Sequence, residues 1–182
     1  MRHAWIAGGT GMLADATIAV AREHDTTTLF SRNPARFSAN ISPGSLSRCP
    51  VDFRDPAATE RALTETLETT GPCTTALLWV HSVGEESLRL IFSRLRESSP
   101  KARVVWVLGS AAADPSLDLE SRITEVGASD LDLRVAILGF ESSGGRSRWL
   151  TDKEISAGAI AAWRSDARVT TVGRTRPWSD RP

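Results

Sequence analysis

Ile6-Ala7-Gly8-Gly9-Thr10-Gly11-Met12-Leu13-Ala14 decides how the rest of this 182-residue chain is read. The apolar run Ala4 to Ala7 drives straight into glycine. A helix-patterned segment follows over residues 11–23, with Ala14, Ile18 and Ala21 on one side and Leu13, Thr17 and Val20 beside them. Strand, tight glycine turn and helix make up the context in which a glycine-rich turn binds phosphate. Gly9 to Ala14 fits G-x-G-x-x-G/A, while Gly8, Gly11 and Ala14 also fit G-x-x-G-x-x-A. One glycine permits the turn, Gly11 lets the backbone approach a pyrophosphate, and small Ala14 lets helix pack on strand. Free N–H groups and the positive end of the helix dipole then face the anion. The competing reading is a turn with a structural role alone.

Downstream residues strengthen the phosphate reading. Thr26 to Ser31 is rich in β-branched residues and predicts a second strand. It ends in Ser31-Arg32-Asn33-Pro34, and Arg32 follows Gly9 by 23 positions. An NAD-specific site places a carboxylate about 20 residues on for the ribose 2′-hydroxyl, whereas a guanidinium there binds a 2′-phosphate through paired hydrogen bonds. NADP(H) is therefore the expected cofactor, held by Gly8, Gly9, Thr10, Gly11, Met12, Leu13, Ser31, Arg32 and Asn33. Residues 38–48 read as a loop, and Cys49 to Phe53 as a short strand whose exit places Asp52 and Phe53 near the adenine edge.

The remaining chain alternates helix and strand. Asp55-Pro56 caps and opens a helix over 56–70 that Gly71-Pro72 stops. Thr75 to Val80, Val104 to Leu108 and Leu133 to Leu138 are near-continuous apolar runs, as expected of parallel strands covered on both faces. Helices are predicted over 85–98 (Leu88, Ile91, Phe92, Leu95 inward), 117–127 (Leu119, Ile123, Val126) and 151–165 (Ile155, Ala159, Ala162). Thr151 and Glu154 form a capping box for the last of these. Glu141 to Leu150 reads as a glycine-flexible, doubly basic loop, Val169 to Val172 as a last strand, and 177–182 as an extended tail. The prediction is a single-domain α/β Rossmann fold over residues 1–182, a doubly wound parallel sheet of about seven strands.

Composition narrows the partners. Twenty-two basic residues balance 22 acidic ones, so no net field recruits nucleic acid or an anionic membrane. No stretch approaches the ~20 apolar residues of a membrane helix, and the first apolar run is too short for a signal peptide. Cys49 and Cys73 form no C-x-x-C pair, which with the rest points to a cytoplasmic protein with reduced thiols. No metal site is expected.

With these pieces placed, the chain resembles the atypical short-chain dehydrogenases/reductases, along its whole length. The resemblance rests on I-A-G-G-T-G-M-L-A, S-R-N-P after the second strand, V-D-F-R-D-P after the third and V-V-W-V-L-G-S for the fifth. It extends to small bacterial proteins carrying G-G-T-G-M and S-R-W-L-T-x-x-E-I-S. The resemblance implies an NAD(P)-binding Rossmann domain, oxidoreductase chemistry and a homodimer or homotetramer, with Phe92, Leu95 and Leu117 as apolar surface for association. The family's catalytic set is Ser, Tyr and Lys. Ser110 matches the serine, but the chain contains no tyrosine, and Arg122 is the basic residue of the following helix.

Ligands of an open parallel sheet lie outside the carboxyl ends of its strands. The polar groups delivered there are His81 and Ser82, both also expected to contact the cofactor, Ser110, and Glu141. An imidazole titrates near neutrality and suits proton transfer. His81 and Ser110 are therefore the catalytic candidates, against the readings that His81 bonds backbone near the nicotinamide ribose and Ser110 satisfies its own loop. Glu141, Arg146, Arg148 and Trp149 are candidates for closing over a small anionic or flat substrate, against a packed Trp149 and solvated arginines. Three functions stay open: an NADPH-dependent reductase of a conjugated acceptor (enone, imine or flavin-like ring), an isomerase or epimerase with resident NADP, and a non-catalytic NADP-binding sensor or partner-binding protein.

Overall fold

The apolar runs become the inner strands of one sheet. The computed structural model describes residues 1–39, 41, 46–114 and 116–182. Its elements are β1 (His3–Ala7), α1 (Ala14–Arg22), β2 (Thr26–Ser31), β3 (Leu46–Pro50), α2 (Pro56–Thr70), β4 (Thr75–Leu78), α3 (Glu85–Ser98), β5 (Arg103–Leu108), α4 (Leu119–Glu125), β6 (Asp132–Leu138), β7 (Phe140–Ser143), β8 (Arg146–Trp149), α5 (Asp152–Arg164) and β9 (Val169–Val172). Seven strands form the sheet in the order β3-β2-β1-β4-β5-β6-β9, every pairing parallel. This is the doubly wound Rossmann arrangement, with its switch point between β1 and β4.

Alternation along each strand divides the core into two layers. Trp5, Ala76, Leu78, Val104, Trp106, Val135 and Ile137 face α2, α3 and α4, where Leu63, Leu88, Phe92, Leu95 and Ile123 are buried. Ala4, Ile6, Leu77, Val105, Val107 and Ala136 face α1 and α5, which contribute Ala16, Val20, Ile155, Ala159 and Ala162. Two covered faces explain why these strands read as continuous rather than alternating apolar runs.

Several expectations are corrected. The third strand is Leu46–Pro50, not Cys49–Phe53. It pairs with β2 alone and leaves Ser47 and Arg48 exposed, so no apolar run marks it. The loop expected over 38–48 therefore ends in strand, and part of it lies outside the described residues. The first helix begins at Ala14, because residues 8–13 are spent on the turn. Glu141 to Leu150 is not a flexible loop. It holds the antiparallel hairpin β7–β8, closed by Gly144 (φ 58°) and Gly145 (φ 76°). Two positive-φ residues are what a two-residue hairpin turn requires. Phe92 and Leu95 are fully buried, Phe92 edge-on to Trp106, so they offer no surface for association; Leu117 is exposed. The tail carries a short 3-10 turn at Trp178–Asp180.

Candidate functional site

The carboxyl ends of β1, β2, β3 and β4 converge on a cleft of about 860 Å³. At its centre the chain leaves β1 and turns at Gly8 (φ 79°), whose N–H donates to the Phe30 carbonyl at 3.0 Å. A Cβ on Gly8 would collide with the Trp79 carbonyl, and one on Gly9 with Thr17 and Ile6. Thr17 Oγ1 donates to the Gly9 carbonyl (2.8 Å), and Ser156 Oγ to that of Met12 (2.9 Å), so α1 and α5 brace the turn from behind. Gly11 differs: a Cβ there meets nothing within 4 Å. Its bare backbone opens onto the cleft, beside a helix start that no side chain caps.

Beyond β2, Ser31, Arg32, Asn33 and Arg36 line the cleft, and beyond β3 Asp52, Phe53 and Arg54 do so. Ser31 is 6 % exposed, and its hydroxyl has no hydrogen-bond partner among the described residues. Three arginines meet one acid here. That acid, Asp52, is held by Arg54 (Nη2 to Oδ2, 2.6 Å), whose hydrogen bonds pull its carboxyl down to about 2; Arg32 adds to the effect. Asp52 is therefore ionised and neutralised, leaving Arg32 and Arg36 as the cleft's positive charge.

Ten of the predicted cofactor contacts line this cleft: Gly8, Thr10, Gly11, Met12, Ser31, Arg32, Asn33, Asp52, Phe53 and His81. Gly9, Leu13 and Ser82 do not; Leu13 is fully buried in the core. Arg36, Arg54, Trp79, Val80, Val83 and Gly84 line it without having been expected. Arg36 had a legible signal, since Pro34 opens a 3-10 turn that returns it to the end of β2. Gly84 admits no side chain because Val80 and Phe53 press against it, an arrangement only the fold reveals.

The catalytic candidates separate. His81 stands exposed on the cleft, edge-on to the Trp79 ring with centroids 5.0 Å apart. Ser110 starts a 3-10 turn after β5 and is not part of the cleft wall. The substrate candidates separate too. Glu141, Arg146 and Arg148, with Ser143 and Ser147, line a second depression of about 370 Å³ on the hairpin. Arg148 is not free to clamp a ligand: it grips both Glu154 oxygens at 2.8 and 2.9 Å. Glu154 also accepts from the Thr151 N–H in the capping box, and these bonds bring its carboxyl down to about 2. Trp149 is 48 % exposed rather than packed in the core. Among the described residues no cluster of His, Cys, Asp and Glu could hold a metal ion, and no helix is long and apolar enough to cross a membrane.

Solved structures share this architecture. An NADPH-dependent reductase involved in bacilysin biosynthesis, YwfH, superposes with a TM-score of 0.70 at 11 % identity, over 94 % of this chain and 98 % of that one. A double mutant of a Serratia marcescens short-chain dehydrogenase/reductase gives 0.68 at 12 %, over 96 % of each. A metagenomic short-chain oxidoreductase in complex with NADP gives 0.61 at 14 %, over 95 % and 96 %. The chain thus has the fold of the short-chain dehydrogenases/reductases. No protein-family model and no curated protein sequence matches it.

Proposed function

We propose that this protein is an NADP(H)-dependent reductase of a small conjugated acceptor, built on the short-chain dehydrogenase/reductase plan without its tyrosine. The observation that carries the reading is the cleft itself. An open glycine backbone at Gly11 and the Arg32–Arg36 pair line one cleft, as a ligand with a pyrophosphate and a 2′-phosphate requires. The fold's solved representatives, some with NADPH or NADP in their descriptions, support a nicotinamide dinucleotide. Such a cofactor supplies a hydride when bound.

This chain's own residues do the rest. Arg32 and Arg36 draw a dianionic phosphate to the end of β2, where the nearby Asp52 carboxylate is already paired with Arg54. Gly11 and the uncapped start of α1 face the pyrophosphate, and Phe53 supplies an apolar edge for the adenine. His81 is the proton donor at the cleft's far end. With no tyrosine to complete a relay, an acceptor whose reduced form is protonated by imidazole or water suits the site best. Ser110, one strand over, is assigned the accepting heteroatom of the substrate. A non-catalytic NADP sensor is the second reading, favoured by the lack of any tyrosine in the chain and by a described cleft wall that does not include Ser110.

Titration with NADPH and NADH tests the cofactor. NADPH should bind more tightly, and Arg32→Ala should weaken it selectively by about 1.5–3 kcal/mol, the worth of charge-assisted hydrogen bonds. Equal affinities in the unaltered protein would remove the assignment. Stoichiometric NADPH oxidation with enones, imines or flavins separates the reductase from the sensor, which binds without turnover.

A further inference from the structure

The cleft crosses the switch point to the end of β4 and goes no further along the sheet. A doubly wound sheet offers one mononucleotide site on each side of its switch point. Here the described cleft residues come from the ends of β1, β2, β3 and β4, and none from the turns after β5 or β6. What stands at the boundary is Trp79. It follows β4, half-buried, with its N–H donating to the Ala7 carbonyl at 2.9 Å. Its indole packs on the apolar layer under α1 and α5 and reaches sideways to β5, where a Cβ on Gly109 would lie 3.9 Å from its Cη2. His81 stands against the ring's edge.

We propose that Trp79 is a specificity-determining residue that closes the cleft toward β5. As folded, the site is complementary to a 2′-phosphorylated adenosine diphosphate, and it admits the nicotinamide half only when the indole turns aside. The inference rests on the dinucleotide reading above. The indole is held by its inner face alone: it is half-buried, Gly109 presents no side chain to pin its far edge, and His81 beside it is exposed. Closure lowers the apparent affinity for a whole dinucleotide by the fraction of time the indole stands open. It leaves affinity for the adenosine half untouched. With the indole closed, binding is driven by the phosphate-rich half, and the nicotinamide position is protected until the ring moves.

Calorimetric titration of the purified chain with adenosine 2′,5′-bisphosphate and with NADP⁺ tests this, in the unaltered protein and in Trp79→Ala. The two ligands should bind the unaltered protein about equally, within roughly threefold. Trp79→Ala should tighten NADP⁺ about tenfold, as for an open state populated about a tenth of the time, and leave the bisphosphate unchanged. That unchanged value also shows that the variant is folded. If Trp79→Ala loses both ligands, Trp79→Phe, with its smaller ring, decides by the same ratio: a gain for NADP⁺ alone supports the proposal and no gain overturns it. NADP⁺ binding the unaltered protein more than about tenfold tighter than the bisphosphate, or weakening in Trp79→Ala, would mean the indole is a stacking platform and overturn the proposal alone. Failure of the unaltered protein to bind either ligand overturns the dinucleotide reading itself.

Discussion

Gly8 and Gly11 belong to one motif and are needed for opposite reasons. Gly8 serves the fold: its φ of 79° and the Trp79 carbonyl facing it leave no room for a side chain. Gly11 has open space where a Cβ would go, so only a ligand can require it to be bare. Gly8→Ala should therefore cost about 1–3 kcal/mol of stability through strain and collision. Gly11→Val should leave the melting temperature near that of the unaltered protein and abolish binding of either dinucleotide. Retained binding in Gly11→Val would mean that the turn is structural only. At the cleft's other end, His81→Ala should lower turnover by about 10- to 1,000-fold, or 1.4–4 kcal/mol of transition-state stabilisation, with NADPH affinity little changed. Ser110→Ala should do less, since Ser110 stands outside the cleft wall. Steady-state kinetics that show the reverse order would hand the proton to the β5 turn.

Among the elements, α3 shows how deeply packing overrules a surface reading. Phe92 and Leu95 fall on the same helical stripe as Leu88 and Ile91, and all four are buried against the sheet. Neither residue is therefore available for the association that the resemblance implies. Phe92 is wholly enclosed and edge-on to Trp106, so Phe92→Ala should cost about 3–5 kcal/mol in denaturant unfolding, from lost transfer energy and the cavity left behind. A cost below 1 kcal/mol would mean the layer can collapse around the gap. The hairpin β7–β8 is tied down differently. Arg148 reaches from β8 to the capping carboxylate of α5, so a pair of residues read as substrate contacts and a helix cap is one structural joint.

On the scale of the whole molecule, the end of the sheet opposite the cleft carries two buried histidines. His3 Nδ1 lies 3.1 Å from the Gly71 carbonyl, and its Nε2 2.9 Å from Thr28 Oγ1. His24 repeats the pattern with the Val20 carbonyl at 2.7 Å and Thr75 Oγ1 at 2.9 Å. A carbonyl only accepts, so Nδ1 carries the hydrogen in both rings and each threonine hydroxyl donates to Nε2. Burial pushes both imidazoles below their ordinary value of 6.5, and for His3 the neighbouring His24 adds to it. The unfolded chain then binds more protons than the folded one below that value. Stability is complete above about pH 6.5 and falls as the pH drops beneath it, by at most about 1.4 kcal/mol per pH unit for each ring. Urea midpoints between pH 8 and 5 should show the decline, and a His3→Gln, His24→Gln variant should flatten it. An equal decline in that variant would place the effect in the carboxylates.

Local chemistry was enough to read the glycine turn, Arg32 after β2, the capping box and six of the sheet's seven strands closely. Each depends on neighbours in sequence: a turn's φ requirement, a helix cap, a run covered on both faces. Strand β3 escaped because an edge strand paired on one side needs no apolar pattern. Arg54 escaped although its partner Asp52 is only two residues back, because nothing in the sequence says that both line a cleft. Trp79 escaped because its importance comes from the end of another strand. The tertiary structure alone decided that His81 lines the cleft while Ser110 does not, that Arg148 is spent on Glu154 and that the cleft ends at an indole. Those are relations across strands and turns, set by how two layers of helices seat the strand ends side by side.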